Sequence, residues 1–506
     1  MNSKIWTRII ALTLLAALAI PVQLAAQQKA KPHHRHQYHH YQIVDVGTFG
    51  GPQSWLFTTS AARIGLLNNQ GTLAGSADTL AVDPYCIWAF YPDCSVAHAF
   101  QWQNGGKIDL GVLPGGIGSQ IIWISPNGLM AGISDNGQQD PQNPAFPQIH
   151  AVLWQHGEIT DLGTLPEGGY FSVAQAVNNR GEIAGQAYNT IPDPNSISGY
   201  GYEARAFYWK NGVMQDLGTL SAGTDAEAGL INERGQVVGW SYINSVPSAI
   251  CAGFNLGFSL TTDSFIWDKK NGMRDIGGFG GTCTLAVDLN SQGQIVGGSA
   301  VAGDTTSHPF VWDSATGITD LLGPSSADYG YAEAINNQGV VVGGACTGAC
   351  HAVLWQKTDG KWQQSGLGTI GGFSFAFAIN GPGQVVGNAG STGMSPFLWQ
   401  AGGPMVGLNA LVPPNSGLQI SEPHQINDQG EIAAGALDAS GNNHAVLLIP
   451  CDENHPGVEG CDYSLIDAAA AAAQSSERHH VPGAAQRLPQ SRNRVSRKEG
   501  QKRSSL

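Results

Sequence analysis

Apolar residues along this chain come in short runs, and each run is fenced by Gly, Asn or Pro, a spacing that predicts strands joined by tight turns rather than helices. One turn recurs. It opens with Asn and closes with Gly three residues later, at Asn68 to Gly71, Asn178 to Gly181, Asn232 to Gly235, Asn290 to Gly293, Asn336 to Gly339, Asn380 to Gly383 and Asn427 to Gly430. Ser125 to Gly128 is a further copy with Ser in place of Asn. A four-residue hairpin loop that ends in a left-handed conformation needs Gly there, and Asn caps such a loop with its side chain. The copies are numbered repeats 1 to 8 in chain order, repeat 2 being the Ser copy.

Each turn sits between two short strands, the second ending in Gly, as in Val237-Val238-Gly239 and Val385-Val386-Gly387. A third strand carries an aromatic pattern, as in His98-Ala99-Phe100-Gln101-Trp102, with Trp again at 154, 209, 267, 312, 355 and 399. A fourth is expected to begin at Asp109, Asp161, Asp216, Asp275 and Asp320, and at Gly366 and Gly407 in two later copies. Four strands in some 50 residues is the size of a propeller blade. A parallel β-helix is the rival, but its coils are shorter and lack a regular hairpin.

The phase of the repeats predicts closure. Val44 to Phe49 reads as a fourth-type strand with no preceding three, and the last unit, His424 to Ile449, has three strands and no fourth. The expected fold is therefore all-β: a β-propeller of eight four-stranded blades, seven if one copy is degenerate, closed by pairing of the N-terminal strand with the C-terminal blade.

The Asp-Leu-Gly-Thr-Leu segment, the Ile-Asn-Asn-x-Gly-x-Val-Val-Gly hairpin and the His-Ala-Phe-x-Trp strand together resemble the probable extracellular repeat of the HAF family, over about residues 42 to 450. The resemblance implies a bacterial extracellular protein with a propeller fold, and it implies no activity.

The N-terminus agrees with export. Lys4 and Arg8 precede an apolar stretch from Ile9 to Ile20, Pro21 ends it, and Ala25 and Ala26 offer a cleavage site. The expected organisation is a signal peptide over 1–26, a His-rich basic linker over 27–40, and the propeller over 41–450. A disulfide-bearing extension over 451–474 and a disordered basic tail over 475–506 follow. The linker holds His33, His34, His36, His39 and His40, read as flexible chain rather than a metal site.

Eight Cys fall into four local pairs: Cys86 with Cys94, Cys251 with Cys283, Cys346 with Cys350, and Cys451 with Cys461. Eight Cys allow 105 pairings in principle, and neighbours within or between adjacent repeats are the ones in reach. No pair has the spacing of a zinc site. An extracellular or periplasmic location follows.

Net charge is −14, unevenly spread. Residues 41–474 carry 11 Lys/Arg against 36 Asp/Glu, 11 − 36 = −25, whereas the tail is basic. Such a core repels nucleic acid and anionic membranes and tolerates calcium or cationic partners. No cofactor is called for.

The recurring His and Asp suggest a hydrogen bond repeated in each blade rather than an active site, and the Trp residues suggest packing between blades. No phosphate-binding Gly loop, metalloprotease helix or nucleophile elbow is present, and no catalytic residue is assigned. Long insertions between second and third strands, at 78–96, 135–148, 188–202 and 242–262, share one face. They bring Tyr85, Trp88, Tyr91, Tyr200, Tyr202 and Phe254 there as candidate ligand contacts. The expected function is a secreted or cell-surface propeller acting as a non-catalytic binding or adhesion module toward a glycan or extracellular protein. The alternative is a polysaccharide-active lyase or hydrolase with an axial site.

Overall fold

The computed structural model describes residues 36–56, 65–87, 94–253, 259–323, 326, 328–390 and 395–471. Among these the chain is all-β and propeller-like. It forms four-stranded antiparallel sheets, one for each repeat, in the strand order of a simple meander. Repeat 3 shows the plan, with strands Ser172–Val177, Ile183–Pro192, Tyr202–Lys210 and Val213–Asp216. The sheets of repeats 4 and 5 are joined by a single parallel bridge between Thr262 and Cys283. No sheet closes on itself among the described residues.

The first strand of most repeats is bulged at one place, between Ala174 and Ala176, Ala228 and Leu230, Ala286 and Asp288, Ala332 and Ala334, and Ala376 and Ala378. This bulge accounts for the Gly that ends each Val-Val-Gly. A Cβ at Gly185, Gly239, Gly297, Gly343 or Gly387 would stand 2.0 Å from a carbonyl oxygen of the bulged strand. A side chain does not fit where two backbones approach so closely. Gly239→Ala would also meet the Phe265 ring at 2.7 Å. It is expected to destabilise the fold by about 3 kcal/mol, measured by denaturant unfolding. Gly366→Ala, with open space around it, is expected to be neutral.

The Asn of each turn works twice. In repeat 3 the Asn178 side-chain oxygen accepts from the N–H groups of Arg180 and Glu182 at 3.0 and 3.1 Å, which fixes the turn. Its amide Nδ2 then donates to the carbonyl of Asn232 in the next repeat. The same step runs from Asn232 to Asn290, Asn336, Asn380 and Asn427, and from Asn427 to the carbonyl of Asn68 at 3.0 Å. The third-strand Trp residues 102, 154, 209, 267, 312 and 355 are buried in the apolar clusters between sheets, and Trp399 is partly so.

The fourth strands differ from expectation. They end, rather than begin, at the Asp: Gly106–Asp109, Glu158–Asp161, Val213–Asp216, Gly272–Asp275 and Gly317–Asp320. The Asp-Leu-Gly segment is the link to the next sheet, and its Leu is buried there while the strand itself is largely exposed. The N-terminal strand obeys the same rule. Tyr41–Asp45 ends at Asp45 and pairs antiparallel with Asn443–Pro450 as the fourth strand of the last sheet, Tyr41 opposite Pro450 and Asp45 opposite Val446.

Gln37–His39, expected as linker, forms a two-stranded ladder with Leu465–Asp467. All four expected disulfides are present. Among the described residues no helix is long and apolar enough to cross a membrane. Both observations are compatible with an extracellular or periplasmic location.

Candidate functional site

The insertions of repeats 1 to 4 begin and end as extended strand. The second strands run to Val82, Gln139, Pro192 and Pro247, and each is met by the start of the third strand after a register shift. Tyr85 is exposed at such an arm. Trp88, Tyr91 and Phe254 lie outside the described residues. Tyr200 is packed rather than displayed: its ring centroid lies 4.7 Å from Tyr188, 5.2 Å from Phe171 and 5.8 Å from Tyr202, and its hydroxyl donates to the buried Asp140 carboxylate. The structure therefore brings together Tyr200 and Tyr202 only, as packing between the arms of repeats 2 and 3.

The recurring His and Asp do meet. His98 Nδ1 lies 2.9 Å from Asp109, His150 Nδ1 2.9 Å from Asp161 and His308 Nδ1 2.8 Å from Asp320. The Asp closes the fourth strand and the His stands on the adjoining third strand, so each pair ties the outer edge of one sheet. Burial works against the charged form of His98, but the Asp109 bond and charge prevail and raise its pKa. Asp109 and Asp161 are held below the usual carboxylate range by their His partners, against burial. Repeat 3 substitutes Arg205, 3.9 Å from Asp216. Repeat 4 substitutes Asp263, whose carboxyl is pushed up to about 6 by burial and by the charge of Asp275.

The pair in repeat 8 differs in its setting. His444 finds its Asp at the other end of the chain: Asp45 Oδ2 is 2.9 Å from Nδ1. A second carboxylate, Asp438 Oδ2, lies 3.7 Å from Nε2. All three residues line a surface cleft of about 620 Å³, bounded by the strand of Gln42 and Ile43, the loop 413–418, and Gly460. Asp438 is held in place by its own turn, accepting from the N–H groups of Ser440 and Asn442 at 2.8 Å each. Burial tends to raise the Asp438 carboxyl, but those bonds and the neighbouring His444 hold it below the usual range.

Asp45 holds the ring through Nδ1, and Nε2 faces Asp438 across the cleft lining. Among the described residues no group of three or more His, Cys, Asp or Glu is disposed to hold a metal. Sequence reading identified His444 as a repeat residue and missed its place beside a cleft. The signal was present: Asp45-Val46-Gly47 matches Asp109-Leu110-Gly111, and Asp45 has no third strand of its own to supply a His.

No family model matches the chain, and no curated protein matches it. Solved structures with a similar fold include puromycin hydrolase, at 13% identity and a TM-score of 0.42, over 78% of this chain and 62% of that one. A Mycobacterium tuberculosis puromycin-hydrolyzing peptidase matches at 11% identity and a TM-score of 0.40, over 78% and 62%. The β-propeller domain of the Trilobed protease from Pyrococcus furiosus matches at 12% identity and a TM-score of 0.39, over 71% and 97%. This chain thus spans about three-fifths of the length of the two hydrolases. The expectation of a non-catalytic binding or adhesion module is corrected here. The loop aromatic Tyr200, one of the residues that motivated it, is tied down by packing rather than displayed.

Proposed function

We propose that the chain is an exported, eight-bladed propeller of the HAF-repeat kind, closed by its N-terminal strand, and that the cleft at the closure is an acid–base site served by His444. Closure is supported by contacts that treat repeats 8 and 1 as ordinary neighbours. Ala445 N donates to Ser54 Oγ at 3.0 Å, as Ala99 N does to Ser119 Oγ and Ala151 N to Ser172 Oγ between other adjacent sheets. Export is supported by the four disulfides, and the HAF kinship by the joint recurrence of its three motifs.

The acid–base reading rests on one observation: at His444 an imidazole oriented by one carboxylate and faced by a second borders an open surface cleft. Such a group takes a proton from an attacking water and returns it to a leaving group, which is the chemistry of hydrolysis. Asp45 positions the ring from one side and Asp438 faces it from the other.

The test sets like against like. The full chain is assayed on a panel of chromogenic esters, amino-acid amides and glycosides. His444→Asn is expected to lower turnover by at least about a hundredfold, the usual contribution of a positioned acid–base group. His150→Asn, which breaks an equivalent pair away from the cleft, is expected to leave it unchanged. Equal loss in both variants, or no turnover of the panel by the unaltered chain, defeats the reading.

A further inference from the structure

The cleft at the junction is acidic, and it shares an apolar cluster with the last described residue of the chain. Its lining carries Asp45 and Asp438 and no Lys or Arg. Ile43 lines it too, and packs in one apolar cluster with Ala468 and Ala471. Ala468 N is further anchored to the His36 carbonyl at 2.9 Å. Ala471 is the last described residue, and it belongs to the same apolar cluster as the cleft residue Ile43.

That remaining chain is basic. Residues 475–506 hold eight Lys/Arg, from Arg478 to Arg503, against Glu477 and Glu499, a net charge of 8 − 2 = +6. The body it leaves carries −25 over residues 41–474. From residue 471 to Arg478 is seven residues, and at about 3.3 Å each an extended chain reaches about 23 Å. The tail is therefore on a tether that starts from the apolar cluster shared with the cleft residue Ile43.

We propose that the arginine-rich segment 478–503 docks in this cleft, as an internal occupant that any cationic ligand must displace. The chemistry matches. A guanidinium pairs with a carboxylate through two parallel N–H bonds, and its hydrocarbon stem lies along apolar walls such as Ile43, Pro413 and Leu418. The tether keeps the local concentration of tail high, so weak individual pairs suffice. The docking stands whether or not His444 moves protons.

Zero-length carbodiimide coupling on the full chain tests it, since that reagent joins a carboxylate to a lysine amine only where the two touch. At low salt, mass spectrometry is expected to find Lys498 or Lys502 joined to Asp45 or Asp438 within one chain. The yield should fall at least tenfold in about 1 M NaCl, where charges are screened beyond about 3 Å. It should fall as far in the variant Arg492→Glu, Arg494→Glu, Arg497→Glu, which leaves the cleft untouched, and in Asp438→Asn, whose side-chain oxygen still caps the turn. Four outcomes overturn the proposal: no such links, links that reach only Glu453 or Glu459, yields indifferent to salt and to the tail charges, or links solely between isotopically labelled and unlabelled chains.

Discussion

The folded chain is expected to gain stability as pH falls from about 8 to about 5, the reverse of the behaviour of a fold held by ion pairs alone. Four carboxyls stand above their ordinary range. Burial pushes Asp225 up to about 7, aided by Asp193 and Glu203, and Glu227 up to about 8, aided by Asp225. Asp263 is raised to about 6 and Glu333, by burial alone, to about 7. A carboxyl whose folded pKa exceeds its unfolded one binds its proton more tightly in the native state. Its contribution is complete below the unfolded value, near pH 4, and is lost as pH rises through the folded value. His98, also raised, acts in the same direction. At the acid end the sign reverses. Glu182 is pulled down to about 2, burial being outweighed by bonds from Arg180, Asn178, Lys210 and Tyr208, so its share is lost as pH falls below 4. A stability maximum near pH 5 results.

Glu227 contributes most to this dependence, lying on the inner strand Ala226–Ile231 with no counter-cation among the described residues. Glu227→Gln is expected to stabilise the chain by about 2–4 kcal/mol at pH 8 and to change nothing at pH 4, at 1.36 kcal/mol per unit of pKa shift with part of the shift lost to solvent. Thermal unfolding of both forms at the two pH values decides it. A melting temperature that rises from pH 5 to pH 8, or a variant that melts lower at pH 8, contradicts the assignment.

Much of the fold was legible because its rules are local. An Asn that caps a turn and a Gly forced by a bulge leave the same mark in every repeat, at Asn178 and Gly185 as at Asn380 and Gly387. The fourth strands were misplaced because they leave no such mark. Gly106–Asp109 and Glu158–Asp161 are exposed edge strands without an apolar face, while the Asp-Leu-Gly that follows each carries the buried Leu and draws the eye. The cleft was illegible for a different reason. Its two central groups, Asp45 and His444, are separated by 399 residues, and only the pairing of the chain ends makes them neighbours. The raised carboxyls were hidden likewise, since a lone Glu in an inner strand reads as a surface residue until the neighbouring sheets are in place.

That pairing is the second large expectation, and two equivalent strands isolate it. Val46 N donates to the Ala445 carbonyl, as Leu110 N donates to that of Ala99 in repeat 1. With a period of two along an antiparallel ladder, the Val44 N–H faces the last sheet just as the Ile108 N–H faces the third strand of its own repeat. Val44→Pro and Ile108→Pro thus remove the same donor from the same place in a fourth strand, each at about 3 kcal/mol. In repeat 1 the damaged strand remains tethered by short links on both sides. In repeat 8 the fourth strand is supplied from the opposite end of the chain, and its loss uncovers the apolar run Ala445-Val446-Leu447-Leu448 as an open edge. If the ring is closed by this strand, Val44→Pro lowers the melting temperature well beyond Ile108→Pro. It also raises amide exchange over both 443–450 and 50–55, because the Ala445–Ser54 bond goes with it. Equal effects of the two substitutions would mean that the ends of the chain meet without holding the sheets together.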